Sequence, residues 1–245
     1  MDWSRVFVLA AIAVSCLARS ASAGIVVTAE APGVQSSQVA GVTTETFDGF
    51  AAAHYTSLST AVGTITSADA VVSAANQFGG AGGAANYLAI RNLQTATLTL
   101  PAAQGYFGMW WSAADLGNVL SFYSGATLIG SFVPATALGA LGSSYLGNPN
   151  GTFPPNDPTE KFAYLNFVGV GGTTFDRIVV TNTDSSTAFE TDNWSIRVTA
   201  PDPHGPPIET FGSPVPEPSS LIVAGGLAVL VATGAVRRRR ALTTS

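Results

Sequence analysis

Eight short runs of β-branched and aromatic residues, each closed by turn formers, fill the middle of the chain and set its fold class. They are Tyr87–Ile90, Ala96–Leu100, Tyr106–Trp111, Val119–Tyr123, Thr127–Val133, Phe162–Val168, Phe175–Thr181 and Trp194–Val198. Gly79-Gly80, Pro101, Gly117-Asn118, Ser124-Gly125, Gly171-Gly172 and Asn182–Ser186 punctuate them, and such residues supply the backbone angles that turns need. Ser124-Gly125 between two of the runs reads as a tight hairpin. No sustained 3.6-residue periodicity, internal repeat or strand–helix alternation competes with this pattern. The expectation is an all-β domain over residues 24–199, an antiparallel β-sandwich of jelly-roll-like type. That length is enough to bury a core of its own.

The two ends of the 245-residue chain follow other rules. Arg5 precedes the apolar run Val6–Ala18, and Ala21-Ser22-Ala23 follows. A basic start, a short apolar stretch and small residues at −3 and −1 are the marks of a secretory signal peptide. Residues 1–23 are therefore expected to be removed by signal peptidase between Ala23 and Gly24. The only cysteine, Cys16, lies inside that segment. The exported protein would then contain neither a disulfide nor a thiolate, and packing alone would stabilise it.

Charge is sparse at 10% of residues, and it is one-sided. Between the two terminal segments the bases reduce to Arg91, Lys161, Arg177 and Arg197. Fourteen of the fifteen acids lie beyond Ala23. Nucleic-acid binding needs basic surface to displace counterions from phosphates, so nucleic acid is excluded as a partner.

Residues 200–214 carry Pro201, Pro203, Pro206, Pro207 and Pro214 with Gly205 and Gly212. This composition predicts an extended linker. Beyond it, Val215-Pro216-Glu217-Pro218 leads into an apolar stretch that ends in Arg237-Arg238-Arg239-Arg240. As a helix, residues 219–236 would span about 27 Å, enough for a bilayer core. The arginine cluster would hold that end in the cytoplasm, with the globular part outside. A plain single-span anchor would satisfy the same physics.

The order Pro216-Glu217-Pro218, glycine-bearing span, terminal arginine cluster is similar to the sorting signal of PEP-CTERM proteins. The resemblance covers about the last thirty residues, 215–245. It implies recognition by an exosortase, a membrane-embedded transpeptidase that cuts near this motif. It also implies a cell-surface or extracellular destination in a Gram-negative bacterium that makes exopolysaccharide or biofilm matrix. Pro216, Glu217 and Pro218 are then a substrate tag. More loosely, Phe47-Asp48, Phe189–Trp194 and Tyr145–Asn150 resemble the β-rich bodies of other exosortase-dependent surface proteins.

Two constellations in the body could carry chemistry. Strand alternation puts Tyr106 and Trp110 on one face and Phe107, Met109 and Trp111 on the other, so Trp110 and Trp111 cannot share one core. An exposed indole at either position would offer a stacking surface to a sugar; the competing reading buries one ring in each of two layers. Glu45, Asp48, Asp192 and Asn193 flank the first and last strand regions, which are often neighbours in a sandwich. Converging there, they could ligate a structural calcium through six to eight oxygens, an arrangement similar to that of jelly-roll carbohydrate-binding modules. The competing reading is capping of turn amides.

Neither His54 nor His204 stands in a motif, and no nucleophile elbow, phosphate loop or zinc signature is present. Paired-carboxylate catalysis would need two acids facing across a cleft, and no pair is marked. Three function classes therefore rank in order. First comes a non-enzymatic surface or matrix protein, second a carbohydrate-binding module docking on exopolysaccharide, and third an enzyme.

Overall fold

The computed structural model describes residues 23–84 and 86–212. Most of the signal segment, the sorting motif Pro216, Glu217 and Pro218, the apolar span and Arg237–Arg240 lie outside the described residues, as does Ala21. Among the described residues the body contains thirteen strands and one short α-helix. In chain order they are β1 (Gly24–Ala29), β2 (Thr43–Glu45), β3 (Ala53–Thr60), β4 (Gly63–Ala74), β5 (Asn86–Arg91), β6 (Thr95–Gln104), β7 (Tyr106–Ala114), β8 (Asn118–Ser124), β9 (Thr127–Ser131), α1 (Pro134–Ala140), β10 (Lys161–Val170), β11 (Phe175–Asn182), β12 (Ala188–Arg197) and β13 (Glu209–Phe211).

Every strand pairing among the described residues is antiparallel. The strands follow one path, β13-β1-β10-β7-β12-β5-β4-β6-β11-β8-β9, with β2 added to β12 and β3 to β4. The sheet turns back on itself at β4, whose C-terminal half pairs with β5 and whose N-terminal half pairs with β6. Its two edges then approach. Phe211 of β13 packs on Phe122 at 5.8 Å, and a Cβ at Gly130 of β9 would fall 2.6 Å from the Phe211 ring. The result is an antiparallel sheet nearly closed into a sandwich- or barrel-like form.

One apolar core fills the interior. It includes Phe107, Met109 and Trp111 of β7, Leu88 and Ile90 of β5, Phe189 and Trp194 of β12, and Ile178 and Val180 of β11. Alternation along β7 sends Tyr106 and Trp110 to the outer face, as the period of two requires. That face is covered in turn, because Trp110 packs with Ala81, Ala113, Phe162 and Tyr164 under the loops.

The strand registers give the body two ends. Gly24 pairs with Val170, and Val168 with Tyr106. Arg197 also meets Tyr106, and Ile25 pairs with Phe211. Both chain ends of the body therefore leave from one end. At the other, Lys161 pairs with Ala114, Glu190 with Ser112 and Ala188 with Arg91. The nine residue steps of β10 between the two ends correspond to about 30 Å. At the chain-end side backbones touch directly: a Cβ on Gly24 would lie 2.7 Å from the Phe211 carbonyl oxygen, and one on Gly169 would lie 2.1 Å from that of Thr173. Only glycine permits either approach.

The structure differs from the sequence reading in several places. Pro101 does not end a strand; β6 runs through it to Gln104. Pairing with β4 stops at Thr99 and the β11 register slips there, so no partner needs the missing Pro101 amide. β9 stops at Ser131, because Pro134 starts α1. β1, β3 and β4 were not among the predicted runs, and β12 begins at Ala188, before its apolar portion. The expected linker is partly sheet: Glu209–Phe211 pairs with β1, and the Ile208 amide donates to the Val27 carbonyl at 2.9 Å.

Candidate functional site

Trp110 and Trp111 are both buried, 1% and 0% exposed. The Trp111 indole Nε1 donates to Asn118 Oδ1 at 2.8 Å, and its ring meets Phe132 edge-on at 5.4 Å. Trp110 lies against Phe162. Neither ring offers a face to a sugar, so the expectation of ligand binding at Trp110 or Trp111 is corrected: each indole belongs to its own packed layer.

Glu45, Asp48, Asp192 and Asn193 do come into one neighbourhood, because β2 pairs with β12 and sets Glu45 opposite Trp194. Their polar atoms are engaged with the backbone. Glu45 accepts from the amides of Phe47 at 2.7 Å and Ala61 at 2.9 Å. Asp48 accepts from the Asn86 amide at 3.0 Å. Asp192 accepts from the amides of Ala81 at 2.8 Å and Asn193 at 2.7 Å, and Asn193 Nδ2 donates to the Gln35 carbonyl. Among the described residues no three Asp, Glu, His or Cys side chains are grouped as a metal site. The calcium expectation gives way to capping: the carboxylates satisfy backbone donors and Asn193 a backbone acceptor that would otherwise be orphaned, and Asp192 and Asn193 thereby fasten loops to β12. Burial, opposed by the two amides and reinforced by Asp48 and Glu45, pushes the Asp192 carboxyl up to about 8.

The polar site lies elsewhere. On the outer face of β5 and β12, at the end away from Gly24 and Phe211, a cavity of about 390 Å³ is lined by Phe78, Tyr87, Arg91, Asp115, Glu160 and Glu190 together with amide and hydroxyl side chains. Its walls come from several parts of the chain, with Phe78 from the β4–β5 loop and Ser186 and Thr187 from the β11–β12 loop. β5 contributes Tyr87 and Arg91, β12 contributes Glu190, the turn after β7 holds Asp115, and the loop before β10 ends in Glu160. Asn76 Nδ2 donates to the Tyr87 hydroxyl at 3.0 Å, and Arg91 Nη2 donates to Ser73 Oγ at 2.8 Å.

The carboxyls there hold their protons unusually well. Burial, followed by the neighbouring Asp157 carboxyl and the charges of Asp115 and Glu190, raises Glu160 to about 8. Burial also raises Glu190 to about 8; Asp115 and Asp157 add to this, while its own amide and Arg91 oppose it. Asp115 is raised as well, first by burial and then by Asp184 and Asp157. Groups that repel one another in a low-dielectric cleft behave this way. At neutral pH such carboxyls can both donate and accept hydrogen bonds.

Sequence reasoning missed this cluster, since Asp115, Glu160 and Glu190 are far apart in the chain and only the β10-β7-β12 register joins them. One local sign was present: Glu190-Thr191-Asp192 sets two acids on the same face of a strand, an unusual demand on a β-branched background. Tyr145–Asn150, a mark of the loose resemblance, braces the adjoining loops. Asn148 Nδ2 donates to the Gln77 carbonyl at 3.2 Å and Asn150 Nδ2 to that of Gly80 at 3.1 Å.

Compared with protein-family models, curated proteins and solved structures, the chain matches none.

Proposed function

We propose that the chain is an exported, non-enzymatic cell-surface or extracellular-matrix protein whose C-terminal tail is processed by an exosortase. The observation that carries this reading is the order Pro216-Glu217-Pro218, apolar span and Arg237–Arg240 in a chain that opens with a signal-like segment. The body is compatible with it. Its first strand starts at Gly24, the residue after the expected signal-peptidase cut, and its last ends at Phe211, a few residues before the motif. In the same reading the nearly closed sheet is a jelly-roll-like β-sandwich that stands outside the cytoplasmic membrane of a Gram-negative cell. Signal peptidase and exosortase are its processing partners, and the apolar span holds it in the membrane until the second cut.

Replacing Pro216, Glu217 and Pro218 by alanine should leave export intact and abolish C-terminal cleavage. Intact mass of the protein recovered from its host checks both cuts. A species that starts at Gly24 and ends near Pro218 supports the reading. One that retains residues 221–240 replaces it with an ordinary membrane anchor.

A second reading, docking on exopolysaccharide, is favoured by one observation: the cavity on the outer face, with Phe78 39% exposed at its wall. The binding element in that reading is the cavity and not the buried indoles.

A further inference from the structure

The cavity holds an excess of acid without a matching base. Asp115, Glu160 and Glu190 line it, and Arg91 is the only basic residue in its wall. Arg91 makes no ion pair with them: among the described residues the one carboxylate pair formed within 4 Å is His54 with Asp69. Bringing three acids into a common cleft is unfavourable unless protons or a bound cation neutralise them. A bare metal ion is a poor fit, because these side chains do not converge as a ligand set. A larger cation, whose N–H donors reach separate carboxyls around a wider cavity, suits the arrangement.

A second and independent observation marks the same place. Ser112 is wholly buried, and its Oγ has no hydrogen-bond partner. It is the direct cross-strand partner of Glu190, so both side chains stand on the outer face of the sheet. Buried hydroxyls are rarely left unpaired, and this one stands across from Glu190, which lines the cavity. The remaining lining is suited to a hydroxyl-bearing ring: Ser186 and Thr187 supply hydroxyls, and the half-exposed Phe78 an aromatic wall. The volume lies within the range of small-molecule sites, roughly 300 to 1,000 Å³.

We propose that this cavity binds an amino-sugar unit of a polysaccharide, its ammonium held among Asp115, Glu160 and Glu190 and its ring along Phe78. The proposal deepens the docking reading and does not depend on how the tail is processed. The cavity lies at the end of the body opposite Gly24 and Phe211. Because Glu160 and Glu190 keep protons to about pH 8 when the site is empty, binding of the ammonium releases protons, and affinity rises with pH through the mildly acidic range.

Calorimetric titration of the exported protein with glucosamine oligomers tests this. We expect binding, proton release into the buffer, and tighter affinity at about pH 7 than at about pH 5. Glu190→Gln keeps the shape of the side chain but removes its charge. It should weaken binding roughly tenfold or more, the loss expected for one charge-assisted hydrogen bond, while Asp176→Asn, beside the β8–β9 turn, leaves binding unchanged. Fully N-acetylated oligomers, which lack the ammonium, should bind at least about tenfold more weakly. Equal binding of the acetylated oligomers would overturn the proposal, and so would equal binding of a lysine oligopeptide, a calcium signal lost in Glu190→Gln, or no binding at all. Cleavage of the oligomer would make the cavity an active site and likewise overturn it. The mass measurement on the tail is untouched by any of these outcomes.

Discussion

The two ends of the body are built on opposite principles. Where the chain enters and leaves, backbones touch across Gly24 and Gly169, and behind them Phe122 gathers Phe107, Phe167, Phe175 and Phe211 around itself at 5.0 to 6.2 Å. At the far end the sheet carries a cavity, three carboxyls and a buried hydroxyl without a partner. Close packing governs the first end, whereas the second gathers acids around an open cavity, which is the usual mark of a place shaped for something besides stability. Phe122→Ala strikes the first end directly. It leaves a cavity among four rings and should cost about 3–5 kcal/mol, read from denaturant unfolding of the exported protein. A loss below about 1 kcal/mol would mean that this cluster is not what holds the sheet edges together.

The second end should show itself through pH. Glu160 and Glu190 have folded values of about 8 against ordinary values of 4.5. Between these limits the unfolded chain has released its protons and the folded chain has not. Stability therefore falls as pH rises from about 4.5 to about 8. The unfolding midpoint should be lower at pH 8 than at pH 5, and Glu190→Gln should flatten the slope. Phe122→Ala, by contrast, should lower the whole curve and leave its slope alone. A slope unaltered by Glu190→Gln would remove the carboxyl cluster from the account.

This contrast also explains what could be read in advance. The chain-end architecture was largely legible, because it rests on apolar and aromatic runs such as Phe175–Thr181, which alternates along β11, and Phe162–Val168, which is buried on both faces of β10. Strands β3 and β4 escaped because Ala, Ser and Thr dominate Ala53–Ala74. Their place in the sheet comes from pairing partners and not from hydrophobic pattern. β13 escaped because proline and glycine on both sides concealed three residues that complete an edge. The calcium candidates were rightly placed near one another but wrongly assigned, since carboxylates near turns serve unpaired amides before they serve cations. Of the cavity, only the paired acids of Glu190-Thr191-Asp192 left a local sign. Asp115, Glu160 and Glu190 meet only through registers that no local window contains.

The smallest effect belongs to the one place at the chain-end side where charge meets the aromatic surface. Arg177 and Tyr123 are cross-strand partners on β11 and β8, and the guanidinium carbon stands 4.1 Å from the ring centroid. Arg177 Nη2 also reaches the Gly125 carbonyl at 3.3 Å, at the hairpin turn. The pair is partly exposed, so Tyr123→Leu should cost about 0.5–1 kcal/mol. Arg177→Lys should cost a similar amount, because an ammonium cannot lie flat on the ring and reach the carbonyl as well. Combined with Glu190→Gln, Tyr123→Leu should give the sum of the two separate losses to within about 0.5 kcal/mol, as distant independent sites do. A larger coupling would mean that β8, β11 and β12 transmit strain from the cavity to the chain ends. Occupancy of the cavity could then be felt where the tail begins, and the two ends would have to be treated as one device.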